Sequence, residues 1–124
     1  MLIEEYFAQI EADIARCVSV MKIELLRDKR SPYSGCIEGK LSFIDGSLHH
    51  CIEFVNVKTT IDRYKYSYHY QALDRHLLFR YDMAPHHKDI VTFPDHKHIE
   101  SGDVIESVAP TLREILEEIE KYHL

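Results

Sequence analysis

The stretch "IDRYKYSYHYQALDRHLLFRYDMA", residues 61–84, decides the fold. Tyr64, Tyr66, Tyr68 and Tyr70 alternate with Arg63, Lys65, Ser67 and His69. Beyond a turn near Leu73-Asp74, Leu77, Phe79, Tyr81 and Met83 alternate with Leu78, Arg80 and Asp82. A period of two marks strands with one buried face. Folding the hairpin about Leu73-Asp74 sets Tyr70 against Leu77, Tyr68 against Phe79, Tyr66 against Tyr81 and Tyr64 against Met83. The same register sets Ser67 against Arg80 and Lys65 against Asp82, so both surfaces are satisfied at once. The aromatic face is expected in the core, and a tyrosine stripe at this period is read as core before it is read as a base-stacking platform. The other face offers Arg63, Lys65, Ser67, His69, Arg80 and Asp82 to solvent or to a ligand.

Outward from this hairpin, "VSVMKIELLR" (18–27) reads as a strand, and "CIEGKLSFI" and "LHHCIEFVNV" as two more joined across Asp45-Gly46. Ile3, Tyr6, Phe7, Ile10, Ile14, Cys17 and Val18 recur at helical spacing over about residues 2–17. Ile105, Val108, Leu112, Ile115, Leu116 and Ile119 predict a second helix with Pro110 in its first turn and an acidic, solvated outer face of Glu114, Glu117, Glu118 and Glu120. The order α-β-β-β-β-β-α predicts a single α+β domain over 1–124: an antiparallel meander of about five strands, with both terminal helices packed on one face.

The composition is that of a globular protein, 45% hydrophobic and 29% charged, with no apolar run long enough to span a membrane and no basic leader. Cys17, Cys36 and Cys51 are odd in number and lack CxxC spacing, which points to thiols in a reducing cytoplasm. The net charge of −6 argues against nucleic acid as a partner, but it is unevenly spread. Residues 58–98 hold seven Lys/Arg against five Asp/Glu and contain six histidines, whereas the rest of the chain holds eight against sixteen.

Directly after the hairpin comes "APHHKDIVTFPDHKHIE", residues 84–100, with four histidines, two lysines and two prolines. Imidazole titrates near neutrality unaided, and Arg63, Lys65, Arg80, Lys88 and Lys97 are candidates to hold an anionic substrate. Metal-free RNA cleavage asks for such a set, with His86, His87, His96 and His98 as candidate acid and base and Asp82 as an orienting carboxylate. The rival metal reading rests on His96-x-His98, whose spacing on an extended stretch points both rings to one side, with His86 or His87 as a third ligand. A third reading is a non-catalytic module docking an acidic partner. The leading reading needs no cofactor. His49, His50, His76 and His123 are expected to be ordinary polar histidines, and Lys65 with Asp82 an ordinary cross-strand ion pair.

At "YSYHYQ", "LLFRYDMAPHH" and "TFPDHKH" the chain resembles the TumE-type toxins of toxin–antitoxin pairs. The likeness is densest over residues 64–98, with Arg80, Asp82, Pro85, His86, His87, Pro94, His96, Lys97 and His98 in its motif. The resemblance implies a toxin neutralised by a small, separately encoded antitoxin. By analogy with small ribonuclease toxins it makes RNA the leading target. A homodimer is compatible with the sequence, and no membrane partner is expected.

Overall fold

The computed structural model describes residues 1–84 and 87–123. Helix α1 (Ile3–Ala15) leads into seven strands: β1 (Val20–Lys29), β2 (Ser34–Phe43), β3 (Leu48–Asn56), β4 (Asp62–Gln71), β5 (Leu77–Met83), β6 (Asp95–Ile99) and β7 (Val104–Glu106). Helix α2 (Leu112–Glu120) and a 3₁₀ turn (Lys121–His123) follow. The strands form one antiparallel meander in chain order, and every pair is antiparallel. The α+β class and the terminal helices are as expected; the sheet has seven strands rather than about five. The two extra strands come from residues 95–106, where the period-two signal is too short to separate from a loop.

Both helices lie on one face of the sheet. Ile3, Tyr6, Phe7, Ile10 and Ile14 of α1 and Leu112, Ile115, Leu116 and Ile119 of α2 are buried in one core with Ile37, Leu41, Phe43, Val55, Tyr66, Tyr68, Tyr70, Phe79 and Tyr81. Each such side chain contributes on the order of 1.5–3 kcal/mol by leaving water. The tyrosine hydroxyls are satisfied inside: Tyr66 donates to Asp95 Oδ1 (2.8 Å), Tyr70 meets Ser47 Oγ (2.8 Å), and Tyr6 and Tyr68 both donate to the buried Glu53 carboxylate. Three of the four tyrosines of the stripe, Tyr66, Tyr68 and Tyr70, are therefore core. Helix α2 begins seven residues later than Ile105, at a capping box in which the Thr111 hydroxyl accepts from Glu114 N (3.2 Å) and Glu114 returns a carboxylate to Thr111 N (3.1 Å). Ile105 belongs to β7 and Val108 is exposed ahead of the helix.

Two local irregularities correct the expected register. The β4–β5 turn runs from Ala72 to His76, with Ala72 N bonded to His76 O (3.0 Å) and Arg75 in the left-handed region at φ 71°. Tyr70 consequently faces Phe79, Tyr68 faces Tyr81, His69 faces Arg80 and Ser67 faces Asp82. The slip is by two positions along β5, so every side chain keeps its expected face even though its partner changes. The second irregularity does change a face. The β3–β4 ladder pairs Phe54 with Lys65 and then Val55 with Arg63, which leaves Tyr64 as the extra residue of a bulge. Arg63 is thereby turned to the helix side, opposite the fully buried Val55, and Tyr64 is exposed.

Candidate functional site

The face without helices carries the even-numbered residues of β5 and β6. Register places Arg80 opposite His98 and Asp82 opposite His96, with His69 of β4 on the other side of Arg80. Four ionisable groups from two adjacent strands and one from a third are so brought together by β-sheet periodicity alone. His96 is 3% exposed, and its Nδ1 lies 3.3 Å from the Pro94 carbonyl, which can only accept. Nδ1 therefore carries the proton, and Nε2 is the atom turned toward Asp82 Oδ1, 2.6 Å away. His98 Nε2 stands 3.5 Å from the same oxygen. The other carboxylate oxygen, Oδ2, accepts from Arg80 Nε at 2.8 Å.

Asp82 Oδ1 is buried and accepts no hydrogen bond from the described residues, although His96 Nε2 lies 2.6 Å away. A carboxylate oxygen out of water and without a donor is costly unless a proton or a cation comes to it. The Asp82, His96 and His98 ligand atoms all lie within 4.8 Å of one another, so these three residues have the make-up of a two-histidine, one-carboxylate metal site. His87 adds a third ring, with its centroid 5.2 Å from that of His96 and 6.3 Å from that of His98. Its left-handed φ of 58°, uncommon outside glycine, belongs to the turn that leaves β5. His86 lies outside the described residues.

Arg80 also reaches His69, Nη1 to Nδ1 at 3.4 Å. An arginine can only donate, so His69 Nδ1 is the bare acceptor nitrogen. Burial first, and Arg80 second, push His69 below the ordinary imidazole range. Burial also lowers His98, with Asp82 opposing and His96, Arg80 and His87 adding to the shift. Both rings are biased toward the neutral form, in which a nitrogen lone pair is available.

Not every expected residue is here. Arg63 lies on the helix side, where it donates to Tyr68 Oη (2.8 Å) and to the Pro110 and Ala109 carbonyls. Lys97 alternates to the helix side as well, pairing with Glu118 (3.0 Å) over the Tyr81 ring. A single site joining Arg63, Lys97 and Arg80 is thus ruled out by the two-sidedness of the sheet. Lys65 is exposed on the Arg80 face but sits opposite Phe54 and not Asp82, so the expected Lys65–Asp82 pair gives way to Arg80–Asp82. Lys88 is exposed in the turn after His87. His49, expected at the surface, is fully buried on the helix side, its Nδ1 on the His69 carbonyl (3.1 Å). Its alternation with Cys51 and Glu53 carried that information.

The family model for the toxin TumE matches residues 9–123, which span every residue of this cluster. The chain belongs to the TumE toxin family. No curated protein and no solved structure matches it. TumE membership identifies the chain as a toxin component and implies an antitoxin partner. No helix among the described residues is long and apolar enough to cross a membrane.

Proposed function

We propose that this TumE-family toxin acts on RNA in the cytoplasm, cleaving the phosphodiester at the open-face cluster. The observation that supports the reading is the grouping of His96 and His98 at one carboxylate, with the His87 ring against both and Arg80 held beside Asp82. Arg80 is tethered to Asp82 through Nε and is 40% exposed, which suits its terminal nitrogens to a phosphate. His98, biased toward the neutral form, takes the proton of the 2′-hydroxyl as the oxygen attacks phosphorus. His87, exposed at the rim, returns a proton to the departing 5′-oxygen, leaving a 2′,3′-cyclic phosphate and a 5′-hydroxyl. His86 stands beside His87 in sequence as the other candidate acid. His96 is too buried to reach a substrate and acts as a positioning residue with Asp82. Lys65 and Lys88 are the remaining phosphate contacts; Arg63 and Lys97 drop out. Incubating the purified toxin with single-stranded RNA and analysing the product ends tests this: cyclic phosphates that disappear with His98→Ala support it, and intact RNA under all conditions contradicts it.

A second reading, a metal-dependent enzyme or zinc-stabilised domain, is favoured by one observation, the buried and donorless Asp82 Oδ1 beside two imidazole nitrogens. Zinc suits such a donor set and would supply an activated water. Elemental analysis separates the two: one equivalent of zinc, lost in both Asp82→Asn and His98→Ala, selects the metal reading, and metal-free active protein selects proton transfer by histidines.

A further inference from the structure

The two edges of the sheet are unlike. Strand β7 is three residues long, too short to template another strand. Strand β1 is ten residues long and, among the described residues, is paired only with β2, which leaves its outer backbone edge open. Its surroundings are apolar for an exposed edge: Val18 is 90% exposed, Met21 71%, Leu26 69% and Ile23 47%. A long, open edge with exposed apolar side chains is a site for strand addition unless its charges forbid it. Strand β1 carries such charges in Lys22, Glu24, Arg27, Asp28 and Lys29.

We infer that β1 is a dimerisation edge, pairing antiparallel with β1 of a second copy about a two-fold axis at Ile23. Such an axis, normal to the sheet, keeps both pairs of helices on one side and sets Ile23 against its own copy, with Lys22 opposite Glu24 in both directions. Lys22 and Glu24 already form an ion pair within the strand (3.2 Å), on the face away from the helices. In the dimer these four side chains make one row of alternating sign. Leu25 and the bulged Met21 then meet on either side of the axis. Neighbouring two-fold registers lack this complementarity. An axis at Glu24 opposes that residue to itself, one at Leu26 opposes Glu24 to Asp28, and one at Leu25 sets Ile23 against Arg27. The edge charges thus exclude most strands and admit a second copy of this one. This inference stands independently of the chemistry on the open face.

Sedimentation of the intact toxin across micromolar concentrations tests it, with a charge swap as the decisive arm. Wild-type protein should show a concentration-dependent dimer. Lys22→Glu alone and Glu24→Lys alone each oppose like charges twice and should weaken dimerisation by about tenfold or more. The double variant Lys22→Glu/Glu24→Lys restores opposite signs and should recover the dimer. These are exposed side chains, and circular dichroism should report unchanged folding. A monomer at all concentrations, single variants that dimerise normally, or a double variant no better than the singles would each overturn the inference. So would a β1 edge protected only by an antitoxin strand.

Discussion

Both faces of the sheet carry arginine, lysine, histidine and carboxylate, but they use them differently. On the helix side Arg63 is bound to carbonyls of the α2 approach, Lys97 to Glu118, and Glu53 receives two tyrosine hydroxyls. These groups hold elements together and are saturated by the protein itself; the helix side's exception is the buried His49 Nε2, which has no partner among the described residues. On the open side Asp82 has an oxygen without a donor, Arg80 is tethered by one edge, and two histidines are pushed toward neutrality beside it. Saturation marks structure; incompleteness marks a place for a ligand. The tetrapeptide Asp95-His96-Lys97-His98 is the contrast in miniature, since alternation sends Asp95 and Lys97 to the helix side and both histidines to the site.

Substitutions sharpen the contrast, and the largest effects belong on the open side. His98→Ala should slow RNA cleavage by a factor of ~10² to 10⁴ with ground-state affinity nearly unchanged, measured by single-turnover kinetics on protein of native circular dichroism. Glu53→Ala removes the acceptor of two buried hydroxyls and should cost about 3 kcal/mol in urea denaturation; in whatever fraction stays folded, cleavage should persist. An Arg80/Arg63 pair cuts across the two faces. Arg80→Ala should weaken RNA binding and lower its salt slope by about one, whereas Arg63→Ala should cost roughly 1–3 kcal/mol of stability and leave the slope alone. Equal effects of the two on binding would erase the distinction.

A further expected effect is a pH dependence of stability on the helix side. Burial pushes His49 down to about 3, against the ordinary value near 6.5 that it regains on unfolding. Between these values the unfolded chain binds a proton that the folded chain refuses. The contribution of His49 is therefore complete above pH 6.5 and declines as the pH falls toward 3, by at most about 1.4 kcal/mol per unit. His49→Leu should flatten that part of the urea-midpoint profile; an unchanged slope would show that other groups set it.

Much of this was legible in the chain. Period two in residues 64–83 announced the hairpin and its two faces, and Asp45-Gly46 its neighbour, with Gly46 at φ 83° as the turn requires. Half of the site was legible as well, because Arg80, Asp82, His96 and His98 obey simple alternation once residues 95–99 are known to be a strand. What failed was non-local. The bulge at Tyr64 depends on how β3 meets β4, and it alone moved Arg63 across the sheet. The side taken by Lys97 depends on β6 pairing with β5, a contact that three lone residues of β7 and a short polar strand do not advertise. The late start of α2 was readable after all, in the Thr111-x-x-Glu114 box.

The most direct test of the central claim is to map where RNA lies on the folded toxin. Amide exchange or NMR shift mapping, with a short single-stranded RNA and the His98→Ala protein to prevent turnover, reads this residue by residue. Changes are expected at His69, Arg80, Asp82, His87 and Lys65, with α1, α2 and Arg63 unchanged. Changes centred on the helices, leaving β5 and β6 untouched, would contradict it.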